Sequence, residues 1–314
     1  MEVRYTTLMI IDGKQIADEM LQKLQAEVSQ LKHKGVTPTL AVILVGDNPE
    51  SMSYVRQKQK TADSIHVEVR VIRYPQTVSQ AIINKTIEQC NNDSHIHGII
   101  IQRPLPEHLQ DPQLLNSIDP SKDVDGFVPG SKFNVPVALA TEKILEQIYK
   151  FQILNDESMQ QLNNPLRLKP ISEASETMKQ FFLWLKKQHV VVIGRGETGG
   201  KPIAEYLIQQ GCNVSVVHSQ TSEEEKQRVL KNADIIISCV GKKSIVTPDI
   251  IKKGVILISI GISKGDDGIL HGDYEEDEIK HIASFYTPTP GGVGPVNVAC
   301  LMQNLIFSAS KHSL

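Results

Sequence analysis

The stretch SYVRQKQK, residues 53–60, carries three cations, Arg56, Lys58 and Lys60. Such a run is either a solvated cationic face or the frame for one chemical group. An amine serves as the latter when partial burial lowers its pKa, because it then exchanges protons near neutral pH. A second pattern, Gly194-x-Gly196-x-x-Gly199, directly follows the aliphatic run HVVVIG and opens a helical stretch. Its glycines permit a tight turn and let a pyrophosphate approach backbone N–H groups at the positive helix end. The competing reading is an ordinary strand-to-helix turn, and the strand before and helix after favour the dinucleotide.

Cofactor choice is read where the next strand ends. Sites that prefer NAD carry Asp or Glu there to bind the ribose 2′-hydroxyl. Here Val217, His218 and Ser219 occupy that end, followed by the uncharged Gln220. With no carboxylate to repel a 2′-phosphate and Arg195 in the glycine loop to attract one, the site favours NADP. In KDVDGF (122–127), Asp125 precedes Gly126 and suits a turn, or a ligand. The segment TPTPGGVGP (287–295) is a rigid helix-breaking crossover, or a place where bare backbone meets a flat ligand. His95 and His97 read as a strand entrance, and no metal-ligand spacing is present.

These residues need positioning elements. Ile16, Met20, Leu21, Leu24, Val28 and Leu31 repeat at helical spacing up to Gly35. TLAVILVG (39–46) reads as a strand buried on both faces, and a helix spans about 50–65. VEVRVIRYP and HGIIIQRPLP supply two more strands around a helix. The second half repeats the alternation through HVVVIG, NVSVVHS, DIIISCVG and GVILISIGI, and a last helix runs from about Val296 to Ser310. Alternating strands and helices over 314 residues predict a two-domain α/β protein with parallel sheets. Residues 151–180 are polar and weakly periodic, as in a surface insert or linker.

Composition narrows the partners. A hydrophobic content of 40%, 22% charged residues and a net charge of −3 describe a globular protein without the basic blocks of a nucleic-acid binder. Four scattered cysteines suit a reducing cytosol. No signal-peptide pattern opens the sequence, and no apolar run approaches membrane-spanning length.

Taken together, PTLAVILVGDNPESMSYVRQKQK, GIIIQRPLPEH, DPSKDVDGF, VVVIGRGETGGKP, VVHSQT, GILHGD and TPTPGGVGPVNVA resemble the methylenetetrahydrofolate dehydrogenase/methenyltetrahydrofolate cyclohydrolase family. They occur in that family's order along most of the chain. The resemblance implies an amino-terminal α/β catalytic lobe (1–138 plus 291–314) and a Rossmann-like NADP-binding lobe (139–290), with the carboxy-terminal helix returning to the first. It implies oxidation of 5,10-methylenetetrahydrofolate by NADP and hydrolysis of the methenyl product to 10-formyltetrahydrofolate, both in one cleft. It also implies a cytosolic homodimer without a metal.

Residue by residue, the resemblance makes Lys58 the active-site lysine, Gln102 its hydrogen-bond partner and Asp125 the carboxylate for the pterin's amino and N–H donors. Tyr54 offers a stacking ring for the aminobenzoyl part, and Gly291, Gly292 and Pro295 line the substrate. Gly194, Arg195, Gly196, Gly199, Gly200, His218, Ser219, Gly241 and Ile262 hold the dinucleotide. The sequence departs from the family in five places, the first being that the family's Gly-Arg-Ser reads Gly194-Arg195-Gly196, which a phosphate tolerates. NVPVALATEKIL keeps Pro136 but lacks the usual Pro-Cys-Thr-Pro. Ser259 stands where Asp is common, the 151–180 insert has no counterpart, and Arg103 replaces an apolar residue. Arg103 is expected to lower the pKa of Lys58 by like-charge repulsion. Rival readings are a cyclohydrolase that has lost its dehydrogenase activity, a non-catalytic dinucleotide sensor, and an unrelated NADP-dependent hydroxy-acid dehydrogenase.

Overall fold

A computed structural model describes residues 9–155, 172–265 and 268–311. From the amino terminus the elements run β1 (Met9–Ile10), α1 (Gly13–His33), β2 (Thr39–Val45), α2 (Pro49–Ser64), β3 (Glu68–Tyr74), α3 (Gln80–Asn92), β4 (Gly98–Ile101) and α4 (Pro112–Asn116). They continue with α5 (Pro136–Asn155), α6 (Ser172–Leu185), β5 (His189–Ile193), α7 (Gly200–Gln209), β6 (Asn213–Val217), α8 (Glu223–Lys231), β7 (Ile235–Ser238) and β8 (Ile256–Ser259). A short hairpin, β9 (Ser263–Lys264) with β10 (Leu270–His271), precedes α9 (Glu276–Ile279), β11 (Phe285–Tyr286) and α10 (Val293–Lys311).

The chain divides into two compact units. One holds Ala17–Pro136 and the chain from Asn297 onward. Its sheet is parallel, with β2 between β3 and β4. Every residue of β2 is buried, as its unbroken aliphatic run requires. Leu40, Val42 and Leu44 meet Leu24 and Val28 of α1 and Leu301, Met302 and Leu305 of α10. Ala41, Ile43 and Val45 face the other way, onto Ile83 and Ile87 of α3 and Leu114 of α4. The carboxy-terminal helix thus completes this core, as expected. Its approach is close: a Cβ on Gly98 would lie 2.7 Å from Leu305 and 2.8 Å from Val124.

The other unit carries the stretch through Ile16 and Val137–Val296. Its parallel sheet has the order β1-β11-β8-β7-β5-β6. The chain reverses its direction of travel across the sheet beside β5, and such a switch point is where open α/β sheets bind ligands. The compact units divide the chain at other points than the expected domains: Met9–Ile16 fall in this unit, where β1 pairs with β11, and the small-sheet unit resumes at Asn297. The expected insert at 151–180 is helical at both ends, in α5 and α6; its residues 156–171 lie outside the described residues.

Local chemistry sets the helix that carries Lys58. Asn48 accepts the Ser51 N–H at 2.9 Å and Pro49 occupies the first turn, so α2 starts abruptly after β2. Lys122 plays an unforeseen structural part. It is 4% exposed, and its ammonium donates to the carbonyls of Cys90, Asn91 and Asp93 at 2.8–3.0 Å. It therefore caps the end of α3 where orphan carbonyls and the helix dipole favour a cation. Lys122→Met is expected to cost about 2–3 kcal/mol by leaving those carbonyls unpaired. Urea unfolding checks this, and an unchanged midpoint would contradict it. No described helix is long and apolar enough to cross a membrane, and no described cluster of His, Cys, Asp or Glu could hold a metal. His97 is structural, accepting the Thr39 N–H at its Nδ1.

Candidate active site

Lys58, Gln102 and Asp125 come from three separate segments of the small-sheet unit and act on one another. Lys58 lies midway along α2, Gln102 immediately follows β4, and Asp125 sits in the loop that Val124 anchors in the core. The Lys58 ammonium donates to Gln102 Oε1 at 2.7 Å. Gln102 Nε2 donates in turn to the Arg103 carbonyl at 2.7 Å, which fixes the amide with its oxygen toward the lysine. Burial lowers the pKa of Lys58, and the charge of Asp125 works against that shift. Arg103 has no part in lowering it, so the expectation of like-charge repulsion is corrected. Desolvation of the amine is the cause. Arg56 and Lys60, on other faces of α2, are exposed.

The loop of KDVDGF resolves the two readings of Asp125. The turn is closed by its neighbour: Asp123 accepts the N–H groups of Gly126 at 3.1 Å and Val128 at 2.8 Å. Asp125 is thereby left to face Lys58. Burial raises its pKa, the Lys58 charge lowers it, Asp123 raises it and Arg103 lowers it. The loop is held from α10, where Asn304 Nδ2 donates to the carbonyls of Val124 at 2.9 Å and Asn134 at 3.0 Å. Tyr54, one turn before Lys58, is 51% exposed and leaves its ring open to stacking.

The large-sheet unit carries the glycine loop. Gly194 leaves β5 at φ +97°, in the left-handed region. A Cβ on Gly200, at the start of α7, would sit 2.0 Å from the Gly194 carbonyl oxygen, so the turn exists only with glycine there. Arg195, Gly196, Glu197 and Thr198 are exposed between them. Arg195 Nη2 donates to Gln220 Oε1 at 2.8 Å, which brings the loop cation to the end of β6 beside His218 and Ser219. His218 Nδ1 accepts the Gln220 N–H at 3.2 Å. Gln220, which carries no charge for a phosphate, thus steers the residue that does.

Gly241 and Ile262 also come together: a Cβ on Gly241 would lie 3.1 Å from the Ile262 carbonyl oxygen. Their loops are tied by Asp273, fully buried, which accepts from Ser238 Oγ at 2.6 Å, Val240 N at 2.9 Å and Lys242 N at 2.9 Å. Ser259, where the family commonly has Asp, joins the same knot by accepting the Asp273 N–H at 3.0 Å. The sequence reading assigned Asp273 no role; its only signal was its place in GILHGD. Gly291, at φ +103°, Gly292 and Pro295 belong to this unit, whereas Lys58, Gln102 and Asp125 belong to the other. Pro136, the residue retained from Pro-Cys-Thr-Pro, opens α5.

A glycine turn at a sheet switch point, and in the other unit a desolvated amine bonded to an amide and facing the charge of a carboxylate, are features of a dinucleotide-linked α/β enzyme. Comparison with known proteins narrows the class. Residues 11–125 match the catalytic domain of tetrahydrofolate dehydrogenase/cyclohydrolase, and residues 173–313 match its NAD(P)-binding domain. The chain belongs to the tetrahydrofolate dehydrogenase/cyclohydrolase family. It is 37% identical over 300 residues to the bifunctional protein FolD of Oceanobacillus iheyensis, covering 96% of each chain. The crystal structure of the bifunctional enzyme FolD from Campylobacter jejuni superimposes with a TM-score of 0.83 at 30% identity, over 97% of this chain and 99% of that one. FolD of Trypanosoma brucei, solved with NADP cofactor and inhibitor, gives 0.80 at 27% identity, over 97% and 98%.

Proposed function

We propose that the protein oxidises 5,10-methylenetetrahydrofolate to the 5,10-methenyl cation with NADP and hydrolyses that cation to 10-formyltetrahydrofolate. The observation that carries the second reaction is the Lys58 ammonium, lowered in pKa by burial and bonded to Gln102 at 2.7 Å. In its neutral form the amine still donates one N–H to Gln102 and keeps its lone pair. Water adds to the amidinium carbon and Lys58 takes one of its protons, giving a neutral carbinolamine. That proton passes to the ring nitrogen as its C–N bond breaks, and the carbinol hydroxyl releases its remaining proton to solvent as it becomes the formyl carbonyl. Asp125 accepts the amino and N–H donors of the pterin, and Tyr54 stacks on the aminobenzoyl ring.

For the first reaction, NADP when bound supplies the hydride acceptor. Gly194, Gly196, Gly199 and Gly200 would form its pyrophosphate cradle, and Arg195 with Ser219 would meet the 2′-phosphate. Gly241 and Ile262 would line it further, and Gly291, Gly292 and Pro295 would present bare backbone to the folate. The decisive assay follows methenyl absorbance with methylenetetrahydrofolate and each nicotinamide cofactor; no product with either would overturn the reading. The setting proposed is a cytosolic homodimer, in keeping with Cys90, Cys212 and Cys239 as free thiols. Arg195→Ala is expected to reduce the preference for NADP over NAD by about 1–3 kcal/mol. Calorimetric titration of both dinucleotides checks it, and an unchanged ratio would remove Arg195 from phosphate recognition.

A further inference from the structure

The side chains of consecutive residues diverge after β4. Gln102 turns to Lys58, whereas the Arg103 guanidinium carbon lies 4.3 Å from the centroid of the Phe127 ring. Arg103, Asp123, Asp125 and Phe127 border one small cavity with Ile100, about 10 Å³ in volume, whose remaining lining is aliphatic. Within it the two carboxylates are not equivalent. Asp123 is committed to the Gly126 and Val128 N–H groups, and Asp125 is the acceptor that remains for a ligand. Stacking engages one face of a guanidinium and leaves its in-plane N–H donors to point along the edge of whatever binds beside it. Asp125 acceptors and permanently charged Arg103 donors thus border the same cavity, where the edge of a ligand bound beside Asp125 would meet both.

We infer that Arg103 is a specificity-determining residue that donates to the ring carbonyl adjacent to the donors taken by Asp125, so that the pair reads a donor-donor-acceptor edge. A 2-amino-4-oxo pteridine has that edge: its amino group and ring N–H face the carboxylate, and its 4-oxo group faces the guanidinium. A 4-amino group in place of the oxo would turn N–H donors toward the cation and leave it without an acceptor. This rests on the folate reading above and adds the residue that discriminates at position 4. Arg103 stands where the family usually has an apolar side chain, so the discrimination belongs to this chain's own sequence.

The charges facing Asp125 are Lys58 from α2, Arg103 from the end of β4 and Asp123 from its own loop. Burial raises the Asp125 pKa and the two cations pull it down. Removing Arg103 lets that pKa rise, so the acid limb of ligand binding moves to higher pH.

The test titrates the full-length protein with folic acid and with its 4-amino counterpart, aminopterin, by calorimetry. The wild type is expected to favour the 4-oxo ligand by roughly 10- to 100-fold, as a lost charge-assisted hydrogen bond implies. Arg103→Leu should narrow that preference by about tenfold, the Arg103 share alone, and shift the acid limb upward; what remains is owed to ring N3, which offers Asp125 an N–H in the 4-oxo ring and a lone pair in the 4-amino ring. Arg103→Lys keeps the charge but not the planar fork; it should hold the limb in place and give an intermediate ratio. If both ligands bind and Arg103→Leu leaves their ratio and the acid limb unchanged, Arg103 only packs on Phe127 and the inference fails while the folate reading stands. If neither ligand binds the wild type, both fail together. Should Arg103→Leu not fold, an Arg103→Lys ratio equal to the wild type's overturns the inference by itself.

Discussion

Lys58→Met is expected to lower the hydrolysis of methenyltetrahydrofolate by about 10²–10⁴-fold, the loss of general acid/base help alone. NADP affinity should not change, because the glycine loop lies in a different compact unit from Lys58. Lys60→Met is the control. It removes the same charge two residues away, from an exposed position on another face of α2, and should hydrolyse at the wild-type rate. Two features of the environment make Lys58 the sensitive one. Burial disfavours its charged form, and the Gln102 oxygen holds the amine in one orientation. The pH dependence carries the same sign. A lowered pKa means the neutral amine, the form able to take a proton, persists to lower pH than an exposed lysine allows. Hydrolysis should therefore hold as pH falls toward that pKa and decline below it. Equal hydrolysis rates in wild type, Lys58→Met and Lys60→Met would mean that Lys58 is only a solvated cation and the proposed mechanism is wrong.

Much of this was legible in the sequence because the fold's periodicities are strong. TLAVILV is apolar on both faces, so a central parallel strand is its only comfortable place, and β2 occupies it. Asn48 and Pro49 mark the start of α2, and the spacing of Tyr54 and Lys58 then needs only helix geometry. What the sequence left hidden were residues whose roles depend on distant partners. Asp125 and Asp123 are both short acids in one hexapeptide; which of them closes the turn is decided by backbone N–H groups three and five residues beyond Asp123. Lys122 looks like any surface lysine until α3 ends beside it. Arg103 was expected to act on Lys58 because it adjoins Gln102. Neighbouring side chains at a strand end point apart, and its charge reaches Asp125 instead. Asn304 holds the Asp125 loop from a helix 180 residues away in sequence from Val124, a contact no local pattern could announce.

The mirror image of the lysine experiment is Gly200→Ala, expected to weaken NADP binding, and with it dehydrogenase turnover at limiting NADP, while sparing hydrolysis. The added Cβ would lie 2.0 Å from the Gly194 carbonyl oxygen and 2.7 Å from its carbon. Both are backbone atoms, so no side-chain rotation relieves the overlap. Either α7 retreats or the Gly194 turn opens, at a cost of about 1–3 kcal/mol for overpacking. Both movements displace the N–H groups at the start of α7 that would cradle a pyrophosphate, since a helix N-terminus binds phosphate only while its donors converge. NADP affinity should drop by roughly tenfold or more, the equivalent of at least one lost charge-assisted hydrogen bond. Hydrolysis draws on Lys58, Gln102 and Asp125, all in the small-sheet unit, and should proceed at the wild-type rate. The measurements are NADP titration, both activity assays and a thermal scan, the last to confirm that the variant is folded at the assay temperature. Unaltered NADP affinity in a folded Gly200→Ala protein would mean that the loop between β5 and α7 is a plain strand-to-helix turn, and the dinucleotide would have to be sought elsewhere on the sheet.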